Sequence, residues 1–90
     1  MAASITAKTV TATGTVLGGR TRLKAFYVKT ASSGSPAVVF KNGSSGATLL
    51  SMVFHTSDVN QITIPDHGMI FDDECHVTLT NVDSLTGFFG

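Results

Sequence analysis

Hydrophobic and polar positions alternate along the chain over short stretches, which are separated by turns rich in glycine and serine. β-Branched and aromatic residues dominate these stretches, and a helical spacing of apolar residues is nowhere sustained. Even the first dozen residues argue against a helix, because threonine recurs there and its branched side chain lowers helix propensity. The pattern therefore predicts an all-β protein.

Turn signals divide the chain into seven or eight short strands. The clearest signals are Gly18-Gly19, the polar loop over 31–35 and the dipeptide Asn42-Gly43. The predicted strands cover 4–13 (or 4–17), 20–30, 37–41, 47–56, 60–65, 69–71, 76–81 and 85–89. This number and spacing of strands is typical of a compact antiparallel β-sandwich with a jelly-roll or Greek-key order. Residues 1–90 are expected to form a single domain of this kind.

Two of the predicted strands carry apolar side chains on both faces. In the second strand, Phe26 and Val28 have the opposite parity to another apolar set, and in the fourth strand the same holds for Leu49 and Val53. One thin core cannot cover both faces of a strand. A β-bulge could switch the buried face midway, or the strand could be central with its second face beneath a loop. The remaining alternative is that the second face is buried against another subunit, which predicts an interface on these four residues.

An aromatic pair follows at the end of the given sequence. Phe88 and Phe89 are consecutive, and we expect them to dock on their own sheet or on that of a neighbouring subunit. The predicted interface residues are thus Phe26, Val28, Leu49, Val53, Phe88 and Phe89.

The charge content supports association between subunits. Charged residues make up 13% of the chain against 42% hydrophobic residues, and the formal net charge is zero. A neutral chain lacks the self-repulsion that keeps proteins monomeric, so we expect a homo-oligomer. It also lacks a field that would attract nucleic acid or an anionic membrane. No basic, apolar leader and no long apolar run stand out, so we expect synthesis in the cytoplasm without a membrane partner.

Most of the metal-capable side chains lie in the segment 66–76. Cys75 and His76 are adjacent and should point to opposite faces of a strand, which does not suit a tetrahedral zinc site. The acids at 72–74 lack the alternation of a calcium loop, so we interpret them as turn formers. Cys75 could be combined with a histidine and an aspartate as a triad, but no motif that activates a nucleophile accompanies it. No catalytic residue, metal or cofactor is predicted.

Three basic residues form a ridge near the start of the second strand. Arg20, Arg22 and Lys24 share one parity, and Phe26 and Tyr27 follow directly. In a small barrel such residues could hold phosphates and stack bases of a single-stranded nucleic acid. They could equally protect an exposed strand end from edge pairing, or meet an acidic protein surface. The zero net charge argues against the nucleic-acid alternative.

Residues 62–90 combine several turn and strand features. They are Pro65, Gly68 before the triplet Met69-Ile70-Phe71, a short acidic turn, a strand ending near Thr80-Asn81 and the aromatic pair 88–89. In this combination the segment resembles small structural proteins of tailed bacteriophages. The segment 37–43 fits the same pattern of turns and strands. In contrast, Glu74-Cys75 occupy the turn position where many such proteins have glycine.

This resemblance implies a non-enzymatic virion component in many symmetric copies. It would be a head decoration or cement protein that binds the major capsid protein, or other virion proteins, and its own copies. It would be made in the host cytoplasm and located in the virion. The alternatives are a tail or neck subunit, a nucleic-acid-binding barrel using Arg20, Arg22 and Lys24, and a metal-assisted enzyme built on 66–76.

Overall fold

A computed structural model describes residues 5–65 and 68–90 of the chain. Within these ranges the chain forms β-strands and no helix, which confirms the all-β prediction. The strands are β1 (Thr6–Val10), β2 (Gly14–Gly18), β3 (Thr21–Thr30), β4 (Ala37–Asn42), β5 (Thr48–Val53), β6 (Val59–Thr63), β7 (Met69–Phe71), β8 (Glu74–Thr80) and β9 (Val82–Phe89).

The strands form two antiparallel sheets with a jelly-roll order. One sheet has the order β1-β9-β3-β6, and the short β7 pairs with the same side of β3 as β6 does, so β6 and β7 share one position. The other sheet has the order β2-β8-β4-β5. Early strands pair with late strands in a nested series, which is β1–β9, β2–β8, β3–β6/β7 and β4–β5. Such a series is formed when one long hairpin is wrapped into two sheets. The strand pattern predicted a sandwich with a jelly-roll or Greek-key order, and the observed order is that of a jelly roll.

The first predicted strand is in fact two strands in different sheets. Residues 11–13 separate β1 from β2 and carry the chain across the sandwich. The side chain of Thr13 anchors the crossing, since its Oγ1 accepts a hydrogen bond from the Leu79 amide at 3.0 Å. The sequence pattern alone shows no turn at this point, because threonine continues through it.

The core lies between the two sheets and is built around three aromatic rings. Phe26, Phe40 and Phe71 are fully buried. The rings of Phe26 and Phe40 meet edge to face, with centroids 4.9 Å apart, and the centroid of the Phe71 ring lies 6.1 Å from that of Phe40. Edge-to-face contacts add to the stabilisation that burying the rings provides.

The prediction that Phe26 and Val28 face another subunit is wrong. Leu23 pairs with Phe89 and Ala25 with Phe88, so Lys24 is an extra residue in the ladder, which makes a β-bulge in β3. The bulge changes the parity of β3, and Leu23, Phe26 and Val28 are all completely buried in one core. The alternative of a β-bulge explains this strand.

The two aromatic residues of β9 lie on opposite faces of their sheet. Phe89 is only 3% exposed and belongs to the core, so its assignment to an interface is also wrong. Phe88 points away from the core and is half-buried between Ala7 and Ala25, its neighbours on β1 and β3. Both residues are part of a central strand and dock on their own sheet.

A buried hydroxyl holds the chain where it leaves β3. Thr30 is 2% exposed, and its Oγ1 lies 2.7 Å from the carbonyl oxygen of His55, to which it can donate. The same oxygen accepts a hydrogen bond from the amide of Asp58 at 2.9 Å. The turn over 55–58 is therefore fastened to the end of β3.

Replacing Thr30 by valine should test this attachment. Valine has a similar shape but leaves the part-buried amide of Asp58 and the part-buried carbonyl of His55 without their partner, so we expect the free energy of unfolding to fall by about 1 to 3 kcal/mol. Urea denaturation measures the change. Thr9→Val is the matched control, because its hydrogen bond to Thr86 is exposed and its loss should cost no more than about 0.5 kcal/mol. Equal effects of the two substitutions would contradict the assignment.

Candidate functional site

Two of the acidic residues of the segment 72–74 build a turn, as predicted, whereas the third, Glu74, begins β8. Asp72 and Asp73 are exposed and form the bend between β7 and β8. The Asp73 amide donates to Oδ1 of Asn42 at 2.7 Å, and the Gly43 amide donates to the Glu74 carbonyl at 3.1 Å. These bonds tie the β4–β5 loop to the β7–β8 turn. Asp66 and His67 lie outside the described residues.

Cys75 and His76 point to opposite faces of β8, as their adjacency predicts. Cys75 is completely buried in the core, whereas His76 lies on the outside of the sheet. Burial raises the pKa of the Cys75 thiol to about 12, because the apolar core does not solvate a thiolate. A thiol in this state is protonated at neutral pH and inert as a nucleophile. Within residues 5–65 and 68–90, no three His, Cys, Asp or Glu side chains are grouped so that they could hold a metal ion.

Two surface hollows lie at opposite ends of β3. The larger, of about 430 Å³, is lined mainly by polar residues of the loops after β3 and before β6, with Lys29, Asp58 and Asp83 around it. The smaller, of about 220 Å³, lies beside Arg20, Arg22 and Ile70. Neither hollow contains a cysteine or a histidine, so their linings do not include a nucleophile paired with an imidazole base.

The basic ridge is only partly preserved in the structure. Arg20 lies before β3 and forms an exposed ion pair with Asp72 at 3.4 Å. Arg22 and Lys24 lie within β3, the latter at the bulge. Phe26, which the nucleic-acid hypothesis needs as a base-stacking ring, is completely buried, while Tyr27 is 38% exposed. The buried ring removes one of the two aromatic contacts on which that hypothesis depends.

The outer face of the sheet β1-β9-β3-β6 has charges at its ends and an uncharged centre. By outer face we mean the side of a sheet turned away from the other sheet. Arg22 and Lys24 lie near one end and Lys29 near the other. The rows between them consist of Ala7, Phe88, Ala25 and Thr63, and of Thr9, Thr86, Tyr27 and Gln61. Such a face can be covered by another protein without burying a charge.

The outer face of the sheet β2-β8-β4-β5 also has an uncharged centre. Two charged residues, Lys41 and Glu74, lie at one end. His76 lies beside Lys41 at the same end, and Thr15 and Thr48 are their neighbours on β2 and β5. The remaining part of this face on β8, β4 and β5, which we call the neutral face, consists of Ala37, Val39, Ser51, Val53, Thr78 and Thr80. Val53 is 79% exposed, although it is aliphatic. The apolar second face predicted for this strand therefore exists in the folded chain.

The remaining predicted interface residues lie on two opposite sides of the sandwich. Leu49 is 40% exposed and belongs to β5 together with Val53, whereas Phe88 lies on the outer face of the other sheet. They do not form one patch. Their role in binding stays a prediction, but the exposure that it requires is present for Leu49 and Val53.

Three further exposed aliphatic residues were missed by the sequence interpretation. Ile5, Val59 and Ile70 are 55%, 51% and 40% exposed. Ile70 is paired with Arg22, and Val59 with Lys29, so each lies beside a basic residue of the outer face. For Val59 the sequence does contain a signal of exposure, because alternation along the strand places Val59 on the opposite face to the half-buried Ile62.

No protein-family model matches this chain, and neither a curated protein nor a solved structure matches it significantly. Among the described residues there is no helix of the length and apolar character that crossing a membrane requires. Function is therefore inferred from the surfaces themselves.

Proposed function

We propose that the chain is a non-enzymatic structural subunit of a tailed-bacteriophage virion, a capsid decoration or cement protein that binds the shell and its own copies. The observation that carries the proposal is the neutral face, where an exposed Val53 adjoins uncharged Ala37, Val39, Ser51, Thr78 and Thr80. Interfaces are depleted of charge at their centre in the same way, because buried charges are costly to desolvate.

The fold and the resemblance of residues 62–90 both support this proposal. Jelly-roll sandwiches are common among viral capsid domains, although the fold alone does not define a function. A rigid sandwich offers a broad surface that is held in one conformation, so little conformational entropy is lost when it binds. A subunit that binds only the assembled shell stabilises that shell by mass action, and many symmetric copies multiply the effect.

The proposal is tested with purified particles. We expect the protein to co-sediment with capsids of the phage that carries its gene, and to raise the temperature at which they disrupt. Val53→Lys places a charge in the neutral face and should weaken capsid binding about tenfold or more. Ser32→Lys adds the same charge in the polar loop before β4 and should leave capsid binding unchanged.

Three outcomes of this experiment have distinct meanings. Binding to isolated tails or necks, with none to heads, places the subunit in those parts of the virion. Loss of capsid binding in Ser32→Lys as large as in Val53→Lys would show that net charge, and not the neutral face, controls attachment. A protein that binds no purified virion part contradicts the proposal.

A further inference from the structure

One edge of the sheet β2-β8-β4-β5 is open. β5 pairs with β4 on one side, and among the described residues no strand pairs with its other side. The six residues of β5, Thr48–Val53, include neither a charged residue nor a proline. An uncharged edge strand with free backbone groups is a template for pairing with another strand.

The other sheet edges are less suited to pairing. β1 carries Lys8 in register with the buried Gly87, so a lysine points toward the space between the sheets. β2 is interrupted by a bulge between Thr15 and Leu17. β6 and β7 are short and are separated by a segment that contains Pro65. Inward-pointing lysines, bulges, short strands and prolines are the features by which proteins prevent edge pairing. In β5 the one such feature is a bulge at Leu49, which leaves the ladder from Leu50 onward regular.

The backbone of β5 shows which groups face the open edge. The Phe54 amide donates to the Pro36 carbonyl at 3.0 Å, just beyond the end of β5. Hydrogen-bonded pairs alternate along an antiparallel ladder, so the amide and carbonyl groups of Met52 and Leu50 also turn toward β4. Those of Ser51 and Val53 consequently turn outward.

The side chains of this edge are arranged symmetrically about Ser51. Leu49 precedes Ser51 by two residues and Val53 follows it by two, and both are exposed. Leu50 and Met52 flank it directly and are half-buried. If two such strands run antiparallel with Ser51 opposite Ser51, then Leu49 lies opposite Val53 and Leu50 opposite Met52 of the second copy. The outward amides and carbonyls of Ser51 then form hydrogen bonds to each other.

We infer that two copies of this chain associate through antiparallel pairing of their β5 strands about a two-fold axis at Ser51, which joins two four-stranded sheets into one of eight strands. A two-fold axis brings each residue near it close to its own kind, so a charge there would meet a like charge. The absence of charge from β5 suits this partner in particular. The inference deepens the proposed function, since it specifies how copies bind one another, but it is tested on the isolated protein.

Introducing a positive or a negative charge at the two-fold axis provides the test. Ser51 is exposed, so Ser51→Lys and Ser51→Glu should both fold, as circular dichroism and the thermal midpoint will show. Sedimentation equilibrium of the unsubstituted protein should show a monomer–dimer equilibrium. Each variant alone should associate about tenfold more weakly or worse, because like charges then lie opposite each other. An equimolar mixture of the two variants should restore the dimer in a one-to-one ratio.

Thr78→Lys is the matched control for stacking of the sheets face to face. Thr78 lies on the neutral face of the central strand β8, away from the edge, so its substitution should leave the dimer intact. Amide hydrogen exchange gives a second readout, because the Ser51 and Val53 amides should exchange slowly in the dimer and rapidly at dilutions where the monomer dominates.

Several results would overturn the inference. The unsubstituted protein could remain a monomer at millimolar concentration. The dimer could persist in Ser51→Lys alone, be lost in Thr78→Lys, or fail to form when the two charged Ser51 variants are mixed. Finally, the exchange rates of the Ser51 and Val53 amides could be independent of protein concentration. A monomeric protein that still binds capsids would overturn the β5 pairing and leave the proposed function standing. A dimer that binds no virion part would leave the β5 pairing standing and contradict the proposed function.

Discussion

Phe26→Ala is expected to lower the free energy of unfolding by about 3 to 5 kcal/mol. The side chain is completely buried, and its ring lies 4.9 Å from that of Phe40 at the centre of the sandwich. Alanine would leave a cavity between two sheets that cannot fully collapse around it. A domain of this size has about 5 to 15 kcal/mol of stability in total, so the substitution should remove a large fraction of it.

Urea denaturation of Phe26→Ala and Val53→Ala gives the comparison. Val53 is 79% exposed, so its truncation in the dilute monomer should change the free energy of unfolding by no more than about 0.5 kcal/mol. Both residues were predicted from the sequence to lie at an interface, and the structure places them in opposite environments. A stable Phe26→Ala variant that loses only its ability to associate would show that Phe26 faces a subunit after all.

The second large effect concerns the stability of the protein at alkaline pH. The Cys75 thiol has a pKa of about 12 in the folded chain against an ordinary value of 9.0. Between these values the folded protein keeps a proton that the unfolded chain loses, so the stabilising contribution of Cys75 is complete below pH 9 and declines as pH rises toward 12. The decline should be about 1.4 kcal/mol per pH unit and amount to about 4 kcal/mol in all.

Comparison with Cys75→Ala isolates this contribution. Other groups that titrate at high pH affect both proteins alike, so the difference between their free energies of unfolding reports the thiol. Measured in urea at half-unit steps from pH 8 to 11, the difference should be constant up to about pH 9 and then change steadily in favour of the variant. A difference that stays constant to pH 11 would show that the thiol ionises in the folded state as readily as in the unfolded chain.

The strand pattern predicted the fold closely because turn residues act locally. Gly18-Gly19, the polar loop over 31–35 and Asn42-Gly43 each separate two strands in the structure. Such residues favour turn conformations whatever they later contact, and Gly19, Gly34 and Gly43 do adopt positive φ. The crossing over 11–13 was missed because its threonines have a strand preference and the turn depends on contacts with β8.

The burial of the six predicted interface residues could be predicted only in part. Alternation along a strand assigns faces correctly as long as every residue has one partner, and Val53, which is paired with Ala37, is indeed exposed. Leu49 is exposed as well, although it is the extra residue of the bulge in β5. In β3 the extra residue Lys24 breaks this rule, and parity counted across it assigned Phe26 and Val28 to the wrong face. A bulge is a property of two strands in register, so the pattern of one strand cannot locate it.

The sequence by itself determined that this protein is a β-sandwich of short strands with few charges, because residue propensity, turn chemistry and composition are local properties of the chain. The tertiary structure alone decided which apolar residues are buried and which edge is open. Those features depend on the register between strands distant in sequence, such as Leu23 against Phe89 and Phe40 against Leu50. The neutral face and the unpaired side of β5 exist only once those strands have met.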